Sequence, residues 1–218
     1  MFFVTLFIAI PIELFALIAG TFYFKKIKKR FLFLYLFLIV AFITEISKPI
    51  LYYGYNVRHN LEISHYYFPL EFLFLALLYL RELGGFVKKK WLKGFIGFFM
   101  LYCLINPIFL QEYSQYSQVR SYSSIILVVF SILYYYRVLT EAKIRKLANE
   151  PMIWINTAVL LYFAGSLFYN VLFTLILEYS REFSKLSASY FAVLNIVFYV
   201  LIAISIVKAG RQQNIKLA

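Results

Sequence analysis

The sequence predicts an all-α, polytopic membrane protein with seven transmembrane helices, its N-terminus outside and its C-terminus cytoplasmic. Three observations carry this expectation. Hydrophobic residues make up 63% of the chain and charged ones 15%, with a mean hydropathy of +0.79; a soluble domain of 218 residues cannot hide that much apolar surface. The apolar residues fall into stretches near the ~20 residues that a helix needs to cross the hydrocarbon. Basic residues recur in blocks between those stretches, mostly on one side.

Taken in order, the first span covers about residues 2–24 and stops at the block KKIKKR, 25–30. The second covers 31–53, and the polar connection GYNVRHNLEISH leads to the third, 66–80. Gly84, Gly85 and the block FVKKKWLKG form the next basic turn before the fourth span, 91–110. QEYSQYSQVR connects to the fifth, 122–138, and EAKIRKLANEP to the sixth, 152–177. EYSREFSKLSAS leads into the seventh, 190–207. No connection is long enough to fold alone, so residues 1–218 are expected to form a single transmembrane domain. The N-terminal run MFFVTLFIAIPIELFALIAG lacks a basic head and a small-residue cleavage site, and reads as a retained helix.

Alternate connections hold 17 of the 22 Lys and Arg, against Arg58, Arg120, Arg181 and Lys185 on the other side and Lys48 inside a span. Basic connections stay cytoplasmic, which sets the expected orientation in a cell inner (plasma) membrane. Tyrosines and tryptophans gather at the span ends, where an amphipathic ring suits the interface. Spans one to three and five to seven share an orientation about a linking fourth, and KIKK (26–29) and KIRK (143–146) fall at equivalent places, as in a parallel three-plus-one-plus-three duplication. Gly94 and Gly97 in the fourth span suit close helix packing.

A net charge of +12 invites a nucleic-acid partner, but blocks spread between apolar spans are a topology signal, and no nucleic acid is expected. Cys103 is the one cysteine, so no intrachain disulfide can form. No GxSxG, HExxH, P-loop or Gly-rich phosphate cradle occurs, and neither enzymatic activity nor a cofactor is expected. His59 and His65 flank Glu62 in an outer loop without further ligands, so they read as solvated residues and no metal site is expected. A retinal protein would need a lysine midway along the last span, and residues 190–207 contain none.

The informative residues are charges at membrane depth, which are costly and tend to face the bundle interior with a partner. Glu45 and Lys48 lie one helical turn apart in span two. Pro49 follows and cannot donate to the Glu45 carbonyl, which makes it the expected hinge. Glu13 sits mid-way along span one, with Ala16 and Gly20 on its face; Glu71 lies just inside the outer end of span three, after Pro69. Asn170 of span six and Asn195 of span seven, with Tyr199 one turn deeper, reach a similar outer depth at about 1.5 Å per residue. Three glutamates against one lysine leave a negative excess. Either a carboxyl carries a proton, or water or a small cationic ligand enters from outside. Glu13, Glu45, Lys48, Glu71, Asn170, Asn195 and Tyr199 are therefore the candidate ligand or proton/ion site.

PMIWINTAVLLYFAGSLFYN (151–170) and LNIVFYVLIAISIVK (194–208) resemble parts of small, uncharacterised seven-helix membrane proteins of Bacteroidota-type bacteria. The positions that carry the likeness are Pro151, Trp154, Ile155, Tyr162, Phe163, Gly165 and Asn195. Related seven-helix regions resemble the sensing front ends of histidine kinases. The resemblance covers about a sixth of the chain and implies a sensor-like module without catalytic residues, its output passing to a separate cytoplasmic or membrane protein partner.

The expected function is thus a receptor-like membrane sensor with a polar pocket in its outer half, working in the lipid bilayer. Two alternatives predict different interiors. A small transporter or channel requires the polar stripe to continue inward, for example through Asn156 and Ser205. A non-catalytic accessory subunit of a larger complex requires a dry, fully paired interior. Homo-oligomerisation is compatible with any of these.

Overall fold

A computed structural model describes the backbone of residues 10–55, 61–110, 118–141, 146–179 and 181–215, and their side chains except at 52, 61, 62, 108, 110, 168–179, 181–188 and 213–215. These residues are all-α. Seven α-helices follow in order: α1 Ile10–Phe22, α2 Phe24–Gly54, α3 Leu61–Leu83, α4 Lys89–Ile105, α5 Val119–Glu141, α6 Pro151–Tyr179 and α7 Arg181–Ile215. A π-turn, Asn106–Leu110, continues α4, and a 3-10 turn, Leu147–Asn149, precedes α6.

Four stretches among the described residues are long and apolar enough to cross a membrane: Phe24–Leu51, Ile63–Leu83, Val119–Glu141 and Ser189–Gln212. Length and composition thus mark the chain as a membrane protein. Ile10–Phe22 and Pro151–Leu167 are shorter apolar helices.

Several helix ends differ from the hydropathy reading, because hydropathy reports where lipid can be and not where a helix stops. The block 25–30, expected as a connection, is the helical start of α2; the chain turns at Tyr23 instead, whose carbonyl accepts from the amides of Lys26 and Ile27 at 2.9 and 3.0 Å. Behind the block, Phe31 leaves helical geometry (φ −118°, ψ 28°). Gly210 of α7 packs directly against the Tyr23 ring, so the α1–α2 corner is seated on α7 with no room for a Cβ. His65, expected in a solvated loop, is a buried residue of α3. Arg120, expected in an outer connection, lies in the first turn of α5. Residues 181–189, expected as a connection, belong to α7. Pro151 opens α6, where its missing N–H would have had no intrahelical partner.

α1 packs on α2, α2 on α3, α3 on α5, α5 on α6, α6 on α7, and α7 returns to α1, so six helices close a ring. α2 also reaches α7, and α4 lies outside the ring against α3. The α1–α2–α3 pairings recur in α5–α6–α7, and the α3–α5 contact matches α7–α1, the arrangement that a duplication about a linking helix would give. Phe37, Phe72, Leu75, Tyr79, Phe163 and Phe198 fill the centre with almost no exposed surface. Lipid tails are as apolar as leucine, so in a bilayer these side chains stabilise the bundle by dispersion in close packing more than by leaving water. Gly165 allows a close α6–α7 approach, since a Cβ there would come within 2.6 Å of Leu194. Gly94 and Gly97 do the opposite of what was expected: each faces open space, with nothing within 4 Å of a would-be Cβ.

Candidate functional site

The buried cluster is anchored by an ion pair between α3 and α5. Arg120 Nη1 donates to Glu71 Oε2, and the two side chains are 1% and 2% exposed. Spacing on α3 adds the Tyr67 hydroxyl, one turn before Glu71, which donates to Oε1 at 3.1 Å. The Arg120 guanidinium also stands 5.0–5.2 Å from the ring centres of Phe68, Tyr162 and Phe163. Electron-rich ring faces stabilise a cation removed from water, so α3 and α6 together supply its aromatic surround. Ser123 and Ser124 donate to the Arg120 carbonyl at 3.0 and 2.7 Å, filling an acceptor at the start of α5.

A second pair lies on α2, where Lys48 Nζ is 2.6 Å from Glu45 Oε2, with Lys48 44% and Glu45 15% exposed. The helix runs through Pro49 to Gly54; its break in dihedral angles lies at Phe31. Ser47 donates to the Ile43 carbonyl at 2.6 Å, a local bond that stitches the turn ahead of the proline.

Glu13 on α1 is the third acid. It is 4% exposed, makes no ion pair among the described residues, and its Oε2 has no hydrogen-bond partner there. Asn195 and Tyr199 of α7 present polar groups to this carboxyl, and the charges of Glu45 and Lys48 act on it. Tyr199 is stacked on Phe37 of α2, ring centres 6.4 Å apart and planes 6° from parallel. Lys48 and Arg120 both act on Glu71, while Tyr199 senses Glu13, Tyr67, Tyr162 and Glu71. All six ring helices therefore contribute to one electrostatic cluster.

Of the residues singled out from sequence, Glu13, Glu45, Lys48, Glu71, Asn195 and Tyr199 fall in this cluster. The Asn170 side chain lies outside the described residues, as does His59. The charge count changes: Arg120 is a buried cation that joins the partly exposed Lys48, so three acidic side chains face two cations and not one. Sequence reasoning also missed Tyr67 and Tyr162. A signal for Arg120 was present, because Arg120, Ser123, Ser124, Leu127, Ser131 and Tyr134 follow helical spacing, and all are buried on one face of α5.

Two further polar levels lie below. At mid-depth the Tyr79 hydroxyl donates to Asn156 Oδ1 at 2.6 Å, Asn156 Nδ2 donates to the Ser131 carbonyl, and Ser131 Oγ donates to the Asn156 carbonyl, both at 3.1 Å. Ser205 donates to the Pro151 carbonyl at 2.8 Å. At the basic end, Arg30 makes a two-point contact with Glu82, 3.0 Å at each point, and lies 2.7 Å from Glu150. Arg137 pairs with Glu141 at 3.0 Å. These five side chains and Tyr134 line a cavity of about 180 Å³, where Arg30 ties α2 to α3 through Glu82 and to the turn before α6 through Glu150, while the Arg137–Glu141 pair stays within α5. Among the described residues, no group of three or more His, Cys, Asp or Glu is placed to hold a metal ion.

Comparison of the chain with known family models, characterised proteins and solved structures finds no match.

Proposed function

We propose that the chain is a seven-crossing inner-membrane sensor, N-terminus outside and C-terminus cytoplasmic, in which the cluster around Glu13 takes up a proton or a small cation. The observation that carries the reading is the Glu13 carboxyl: buried and, among the described residues, lacking an ion pair and with an oxygen left unpartnered beside two ion pairs. An acceptor in that position costs free energy until something donates to it or coordinates it. Occupation would alter how α1 and α7 meet through Asn195 and Tyr199, and a change in the α1–α7 contact reaches the Tyr23–Gly210 corner at the other end of both helices. A separate partner would read that end.

The test is a comparison of the parent with Glu13→Gln in lipid nanodiscs, following thermal unfolding across pH 5–8 and with added Na⁺. The parent should show a pH- or Na⁺-dependent Tm that Glu13→Gln lacks. Identical profiles would remove the site. Glu45→Gln and Lys48→Met report on the neighbouring pair in the same assay.

A second reading, a small cation- or proton-coupled transporter, is favoured by the polar levels at Tyr79–Asn156–Ser131 and Arg30–Glu82–Glu150, which continue inward from Glu71 and Arg120. Flux of H⁺ or Na⁺ into proteoliposomes separates it from the sensor. An accessory subunit with a fully paired interior fits less well, because of the unpartnered Glu13 oxygen.

A further inference from the structure

The outward face of α4 combines features that a helix packed by protein would not keep. Lys90, Trp91, Gly94, Phe95 and Phe98 line a groove of about 610 Å³. Gly94 lies in its floor and Gly97 follows one turn on, each with open space where a Cβ would stand. Trp91 is 75% and Phe98 73% exposed, and Leu101 and Leu104 extend the apolar wall toward the other end of the helix. At 100° per residue, Lys90, Lys93, Gly94, Gly97, Phe98 and Leu101 share one face. Cations therefore stand at one end of a glycine-floored apolar trough, and Lys88 and Lys89 are exposed just before them.

We infer that this groove binds an anionic phospholipid, its headgroup on Lys90 and Lys93 and an acyl chain along Gly94, Gly97 and Phe98. Charge complementarity selects the headgroup, since juxtamembrane lysines attract anionic lipid surfaces. The trough selects a chain that is narrow and flexible enough to lie on bare helix backbone. A second copy of this chain is disfavoured: a two-fold pairing through α4 would bring the lysines of both copies together, like charge against like. The inference rests on the membrane location proposed above.

The experiment uses the full chain purified in detergent, then exchanged into nanodiscs holding equal parts of phosphatidylglycerol and phosphatidylcholine. Native mass spectrometry of the released protein reads which lipids stay bound. The parent should retain phosphatidylglycerol over phosphatidylcholine, and the preference should fall roughly fivefold for each lysine neutralised in Lys90→Gln and Lys93→Gln. Gly94→Leu with Gly97→Leu, placed where a Cβ meets nothing within 4 Å, should lower retention of both lipids. Retention without headgroup preference, or a preference untouched by all four substitutions, overturns the inference. Dimers that vanish in Gly94→Leu overturn it in favour of a second copy. Failure of the chain to incorporate into nanodiscs at all would instead refute the membrane reading.

Discussion

Replacing Arg120 by methionine distinguishes the packed bundle from the sequence expectation by a wide margin. As a residue of an outer connection, Arg120 would be dispensable, and its loss would cost under about 0.5 kcal/mol. In the fold it is 1% exposed, donates to Glu71, and is surrounded by three aromatic rings. Removing one partner of a buried pair leaves the other charged and uncompensated, which costs about 3–5 kcal/mol. Loss of the cation–ring contacts adds to that, although the thioether recovers some packing. Glu71→Leu should be costly for the same reason, with the Tyr67 hydroxyl stranded as well. The double variant is the discriminating one. With both charges gone, no unpaired ion remains, and an apolar replacement of similar volume is often neutral or stabilising. The double variant should therefore lie within about 2 kcal/mol of the parent, far less destabilised than the sum of the single changes. Equilibrium unfolding in mixed micelles, followed by circular dichroism, measures all four corners of the cycle. Additive single effects would show that the two residues do not interact, and the cluster would lose its anchor.

Other substitutions probe other levels of the bundle in the same assay. Tyr79→Phe leaves Asn156 Oδ1 buried without its donor and should cost about 1–3 kcal/mol. Lys48→Met should cost under about 1 kcal/mol, because that side chain is nearly half exposed and the pair it breaks is correspondingly screened. Gly165→Ala should destabilise by about 1–3 kcal/mol through its clash with Leu194, whereas Gly97→Ala, in open space, should gain up to about 1 kcal/mol of helix propensity. For topology, a Cys103→Ala background carrying Lys93→Cys or Ser189→Cys should react with a membrane-impermeant maleimide from opposite sides of sealed vesicles; labelling of both from one side would undo the seven-crossing arrangement.

Hydropathy was enough for the all-helical class and for helices of membrane length, because the need to satisfy every backbone amide in lipid leaves few alternatives. It could not place helix ends. Lys25–Arg30 and Arg120 are charged, so they average out of an apolar window, yet backbone hydrogen bonding carries α2 through the first block and starts α5 ahead of the second. The candidate site was legible where a charge stood alone in apolar sequence, as Glu13, Glu45, Lys48 and Glu71 do. It was illegible where the cluster depends on which helices are neighbours. Nothing in the local pattern says that α5 follows α3 around the ring while α4 stands aside, and only that adjacency delivers Arg120 to Glu71. Tyr67 is different: its spacing of four from Glu71 was readable, but an aromatic near a span end has an equally good role as an interfacial anchor.

The second cation narrows the original charge imbalance and also relocates it. Counted from sequence, two carboxylates were in excess and any of three could be one of them. In the fold, Glu71 is held by Arg120 and Tyr67, and Glu45 by Lys48, so among these three acids and the described residues the excess falls on Glu13. Its surroundings differ in kind from those of the paired acids. Glu71 faces a guanidinium fixed among three rings, an arrangement that resists exchange because both charges would have to separate inside the bundle. Glu13 faces an amide and a hydroxyl, neutral groups that can serve as donor or acceptor as the carboxyl changes state. A bundle that only needed to fix helix order could have used two pairs and left an alanine at position 13. Retaining a lone carboxyl against α7 adds a desolvation cost that packing does not repay. Under the proposed function, that asymmetry singles out Glu13, and not either ion pair, as the residue for the Glu13→Gln test.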